Sequence, residues 1–183
     1  REPVGLLTPG AGGCRPYELK SEEAGALVLV GSPAATGRPS DPWLKQAAES
    51  DLVLWVAAAD SADRAADQRA LKALAGLTAK DRSLRTIPRL LVLTHADRLD
   101  PPNDWSPPYD LEGGTRAKET HLREARQAAS EQLDVPLERC VLVALPLQET
   151  PWNLDGLMDA VQLALPEARR KQTSRGWGST AWS

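Results

Sequence analysis

Four short, unbroken apolar runs constrain this chain more than anything else in it. They are Ala26-Leu27-Val28-Leu29-Val30, Leu52-Val53-Leu54-Trp55-Val56, Leu90-Leu91-Val92-Leu93 and Val141-Leu142-Val143-Ala144-Leu145. Runs of this length with no polar alternation read as strands covered on both faces, as in a parallel sheet flanked by helices. Between them the hydrophobic period becomes helical. Residues 42–49 make a short stretch. Residues 65–77 place Ala66, Ala70, Leu74 and Leu77 on one face. Residues 115–133 carry Leu122, Ala125, Ala129 and Leu133, and residues 154–165 carry Leu157, Met158, Val161 and Leu165. This alternation predicts an α/β three-layer sandwich with a mostly parallel sheet. The start differs. Residues 15–19, a polar turn at Ser21-Glu22-Glu23, and residues 26–30 read as an antiparallel hairpin that adds an antiparallel strand to that sheet.

Composition narrows the function classes. The 183 residues suit one domain, and 42% apolar with 26% charged residues is ordinary globular usage. A net charge of −3 provides no broad basic stripe, so direct DNA binding is not expected. The cluster Arg169, Arg170, Lys171 and Arg175 reads as a solvated helix end. The longest apolar run, residues 52–59, is far short of the ~20 residues of a transmembrane helix. Cys14 and Cys140 form no disulfide framework, which suits a reducing, cytoplasmic setting. Two histidines, His95 and His121, are too few for a metal cluster or a Ser-His-Asp triad. Residues 100–114 form a Pro- and Gly-rich loop, in which Trp105 and Tyr109 read as exposed aromatics suited to a partner. Trp55 reads as core, and Trp43 and Trp152 as loop anchors.

The chemistry-bearing segment is Thr94-His95-Ala96-Asp97, directly after the run that ends at Leu93. In open α/β sheets, ligands bind beyond the carboxyl ends of the strands. An Asp there can accept two hydrogen bonds from the adjacent N–H groups on one edge of guanine, a pair that adenine does not offer. Leaving one buried polar group unpaired costs about 1–3 kcal/mol, enough to select a base. The same Asp can instead cap the turn that follows, and from position alone the two readings are even.

Three ordered segments bear on that choice: residues 51–60, then Arg64-Ala65-Ala66-Asp67, then residues 90–99. Together they resemble a bacterial P-loop GTPase of the Era/TrmE-like branch, more narrowly the HSR1-type, 50S ribosome-binding GTPases. The resemblance spans about residues 8–170. It implies a guanine-nucleotide-binding domain that hydrolyses GTP to GDP with Mg²⁺ in the intact protein. Thr94 and Asp97 match its guanine-specificity motif, and His95 stands where a Lys or Gln usually lies over the base. Val143 and Ala144 fall at its fifth motif, where a backbone N–H meets the guanine oxygen. Gly31-Ser32-Pro33-Ala34 falls at its third motif. There Gly31 replaces the Asp that organises Mg²⁺, and Ala34 replaces the Gly that meets the γ-phosphate. Thr8 is the candidate for its second-motif Thr, a Mg²⁺ ligand.

The phosphate loop itself, G-x-x-x-x-G-K-[ST], occurs nowhere. A decayed version over residues 31–38 is the weaker reading. It has five residues between its glycines, Arg38 in place of Lys, and Pro39 and Pro42 where a helix should start. The resemblance places the first strand, phosphate loop and first helix before Thr8. Arg1 is then expected to be an interior cut, with a central strand lacking a partner on one side. Residues 1–170 read as a partial GTPase domain without turnover of its own, and residues 171–183 as a disordered tail. A ribosomal or membrane-associated protein partner follows from the resemblance alone. The departures at Gly31, Ala34 and His95 support an alternative, a degenerate GTPase fold serving as a protein-interaction module without turnover.

Overall fold

The computed structural model describes residues 15–21, 25–31, 42–80, 87–147 and 149–178. Strands β1 (Arg15–Ser21) and β2 (Gly25–Gly31) form an antiparallel hairpin. Strands β3 (Val53–Ala58), β4 (Arg89–Thr94) and β5 (Cys140–Leu142) form a parallel sheet in the order β3-β4-β5. The helices are α1 (Pro42–Glu49), α2 (Ala65–Lys80), α3 (Ala117–Leu133) and α4 (Leu154–Gly178). The fold is thus α/β, and each apolar run of the sequence contributes a strand.

β4 is the middle strand, with Leu91, Val92 and Leu93 all buried. Its two faces meet different helices. On one side Leu91 and Leu93 join Trp55, Ala57, Cys140 and Leu142 of the neighbouring strands. These pack against Trp43 and Leu44 of α1, Ala70, Leu71 and Leu74 of α2, and Leu122, Ala129 and Leu133 of α3. Trp43 meets Trp55 edge-on, with ring centroids 5.6 Å apart. On the other side Val92, Val141 and Val143 meet Leu157 and Ala160 of α4. Unbroken apolar strands follow from this double cover.

Three expectations need correction. The hairpin does not add a strand to the parallel sheet: among the described residues it forms a separate two-stranded sheet. A hairpin pairs its inner backbone groups by itself, so its proximity in sequence to β3 does not oblige it to join. On α2, Ala66 and Leu77 face outward, while Leu71 is buried. Helix α4 runs on to Gly178, through Pro166 and past the point where its apolar stripe ends. The segment Glu167-Ala168-Arg169-Arg170-Lys171-Gln172 is rich in good helix formers, which favours continuation of the helix beyond Leu165. No helix among the described residues is long and apolar enough to cross a membrane.

The two borders of the parallel sheet differ. At β5 the outward carbonyls are covered by side chains: Arg126 Nε donates to Cys140 O (2.8 Å) and Asn153 Nδ2 to Leu142 O (2.7 Å). At β3 the N–H groups of Val53 and Ala59 point to β4, donating to Pro88 O and Thr94 O. By strand parity Leu54 and Val56 turn their backbone outward. Val56 is 61% exposed although it lies mid-strand.

Candidate functional site

The parallel strands end together, and the turn after β4 lies among their carboxyl ends. Thr94 Oγ1 donates to Ala57 O (3.3 Å) across to β3. His95 then takes a left-handed backbone, φ 59° and ψ 34°, and a 3-10 turn follows at Ala96–Arg98. A non-glycine residue in this region costs free energy and is held there by its surroundings. The holding contacts are visible. Ala96 is fully buried, and its N–H donates to Val143 O (3.3 Å). The His95 ring nitrogen Nδ1 lies 2.9 Å from Thr94 Oγ1. Arg98 pairs loosely with Asp60 at 3.9 Å.

Asp97 sits half-buried in this turn. No hydrogen bond from a described residue reaches its carboxylate oxygens, whereas its main-chain carbonyl accepts from Lys118. The Lys118 ammonium is an electrostatic neighbour of this carboxylate.

The loop between the turn and α3 is tied to the first turn of that helix. Lys118 is fully buried, and its Nζ donates to Asp97 O (2.9 Å), Leu99 O and Pro101 O (3.2 Å). It also lies 5.4 Å from the Trp105 ring centroid. Burial pushes the Lys118 pKa down, while Asp97, Asp104 and Asp100 pull it back up. Trp105 contacts Tyr109 and Trp152, with centroids at 5.2 and 5.7 Å. These aromatics pack against the core and one another, so Trp105 and Tyr109 are not the exposed partner-binding pair expected from a Pro-rich loop. Trp105 Nε1 is buried without a hydrogen-bond partner among the described residues.

Glu119 closes the other end of the loop. It accepts from the N–H of Arg116 (2.9 Å), the N–H of Asp110 (3.0 Å) and the Arg116 guanidinium (2.7 Å). The Arg116 guanidinium also donates to Ser106 O (3.1 Å) and Pro108 O, and stacks on Tyr109 at 4.5 Å. A Cβ at Gly114 would collide with the Glu119 carboxylate, so only glycine lets the chain pass here.

The Arg116 guanidinium, with two backbone N–H groups, holds the Glu119 carboxyl at about 2. A carboxyl whose pKa is depressed on folding contributes stability above its unfolded value near 4.3. That contribution is lost as pH falls from there toward 2. Glu119→Gln is therefore expected to flatten the acid limb of thermal stability between about pH 4.3 and 2. Melting curves across that range check this, and an unchanged acid limb contradicts it.

After β5 the chain stays close to the Asp97 turn. Val143 N–H donates to Leu93 O (2.8 Å), and Ala144 pairs with Trp152 (Ala144 N to Trp152 O 3.3 Å, Trp152 N to Ala144 O 2.9 Å). Both N–H groups expected to meet a base are thus engaged. The next along the loop, that of Leu145, has no partner among the described residues, and Leu145 is 61% exposed. Asn153, directly before α4, has φ 61° and sends its amide to Leu142 O.

The structure therefore brings Thr94, His95, Asp97, Val143 and Ala144 together. Gly31 ends β2, and no described contact places it beside this turn. Thr8 and Ala34, and the rival stretch after Gly31, lie outside the described residues. For Mg²⁺, Gly31 offers no side-chain oxygen, and no cluster of three or more His, Cys, Asp or Glu forms among the described residues.

Sequence reading missed Lys118, the Arg116–Glu119 pair and buried Arg64, whose guanidinium donates to Ala58 O at 2.6 Å. Only the spacing of Arg116 and Glu119 was a signal, resembling a capping box with Arg in place of Ser or Thr. Comparison of the whole chain with family models and with curated protein sequences gave no match.

Proposed function

We propose that this chain is the base-recognising part of a P-loop GTPase domain of the Era/TrmE-like, HSR1-type branch, and that the intact protein binds GTP and hydrolyses it to GDP with Mg²⁺. The observation that carries this reading is the Asp97 carboxylate. It has no hydrogen-bond donor among the described residues, and it stands at the carboxyl end of the central strand, beside the loop that leaves β5. That is where an open α/β sheet takes its ligand. A carboxylate so placed can accept both donors on the guanine edge, the neighbouring Leu145 N–H can donate to the guanine oxygen, and His95 can stack on the ring.

Equilibrium binding of GTP and ATP to the complete gene product tests this. GTP is expected to bind at least tenfold more tightly, since ATP leaves the carboxylate unpaired. Equal affinities remove the role given to Asp97.

One observation favours a second reading. Gly31 ends β2 without the carboxylate that recurs in metal-assisted phosphoryl transfer. On that ground the domain is a degenerate fold serving as an interaction module, and measurable GTP turnover by the complete gene product rules this out.

A further inference from the structure

Lys118 is unusual in what it is paired with. A fully buried ammonium normally meets a carboxylate. Here the three hydrogen bonds go to main-chain carbonyls, all from the stretch directly after the His95 backbone reversal: Asp97, Leu99 and Pro101. One of these is the carbonyl of the residue whose side chain would read the base. The ammonium uses all its donors on this stretch. Its other neighbour, the Trp105 ring, continues to Trp152. Trp152 pairs in turn with Ala144 on the loop after β5. A single column, Lys118 to Trp105 to Trp152, thus joins the two loops that flank the proposed base position.

We propose that Lys118 is the positioning residue of the base site: by gathering the carbonyls of Asp97, Leu99 and Pro101 it sets the direction of the Asp97 carboxylate without touching the nucleotide. This rests on the reading of Asp97 given above. Without the ammonium, three buried carbonyls lose their donor and the stretch must turn outward to water. The Asp97 side chain moves with its backbone. Guanine affinity then falls for a particular reason, the loss of the contact to the exocyclic amine.

Inosine diphosphate isolates that contact, because hypoxanthine lacks the amine and is otherwise guanine. The complete gene product is expected to prefer GDP over IDP by roughly tenfold. Lys118→Met, which keeps the length of the chain and loses the donors, is expected to reduce the preference to twofold or less. Lys118→Gln, a milder change that retains a donor, should fall between. In Lys118→Met combined with Asp97→Ala the two losses should not add, since both remove one interaction. A Lys118 variant that weakens GDP and IDP by the same factor, with the preference intact, overturns the proposal and leaves Lys118 a purely structural residue.

Amide hydrogen exchange gives a second readout that needs no nucleotide. The N–H groups of Arg98 and Leu99, which donate to His95 O and Ala96 O, should exchange at least tenfold faster in Lys118→Gln, while those of Leu91 and Leu93 stay protected. Unchanged exchange at Arg98 and Leu99 also overturns the proposal. A wild type that shows no preference for GDP overturns the Asp97 reading and the positioning role with it. The exchange result then shows separately whether Lys118 orders the turn.

Discussion

Asp97→Asn is expected to move base preference from guanine to xanthine. A carboxylate presents two acceptors to the two adjacent N–H donors of guanine. Asn presents one acceptor and one N–H₂, so one guanine donor faces another donor. Xanthine carries a carbonyl where guanine has its exocyclic amine, and it restores the pairing. Two mismatched polar groups at about 1–3 kcal/mol each predict a loss of GDP affinity of about 100-fold or more. Affinity for xanthosine diphosphate should rise in the same variant. The fold is not expected to change, because the one described hydrogen bond to an Asp97 oxygen, from Lys118, goes to its main-chain carbonyl, which the substitution keeps. Ala96, Thr94 and Lys118, which hold the turn, stay in place. Equilibrium binding of the two diphosphates to the complete gene product reads the effect. An Asn variant that binds GDP as well as wild type does would end the assignment of Asp97.

Leu93→Ala is expected to be the most damaging single change to stability. Leu93 has no exposure and lies in the middle strand, in the core shared with α1, α2 and α3. Removing three buried carbons leaves a cavity that the strands cannot close, because β4 is hydrogen-bonded on both sides. Such changes cost about 2–5 kcal/mol, or roughly 10 °C in melting temperature for a chain of this size. Val56→Ala makes the control. Val56 belongs to the same sheet but is 61% exposed, so its truncation should cost about 0.5 kcal/mol or less. Denaturant unfolding of both variants separates them, and equal losses would contradict the described core.

The parallel sheet was legible in the sequence because a strand covered on both faces needs apolar residues at every position, and Leu90-Leu91-Val92-Leu93 supplies them. What sequence reading missed follows from the same physics. A helix lying across a sheet buries the part of its surface that its crossing angle selects, so α2 uses Leu71 and leaves Ala66 and Leu77 outside. The separation of the hairpin from the sheet depends on which backbone edges meet, and side-chain patterns do not record that. The site divides the same way. Thr94, His95, Ala96 and Asp97 are contiguous at a strand end and could be read. Lys118, Trp105 and Trp152 act on that turn from other segments, and a Lys within a polar helix gives no sign that it will be buried.

The pairing pattern also sets the order of events as the chain folds. The hairpin pairs Ser21 with Gly25, close neighbours along the chain, and such hairpins form in about 1–10 µs. β4 has no near neighbour to pair with. Leu91 must find Trp55 on one side and Cys140 on the other, each across an intervening helix. Contacts that close long loops are slow, because the entropy is lost before the contact forms. The turn that carries Asp97 hangs from β4 and is fastened by Lys118 of α3 and Val143 beyond β5. It is therefore among the last parts of the molecule to take shape, and any partner that requires it must wait for the whole parallel sheet.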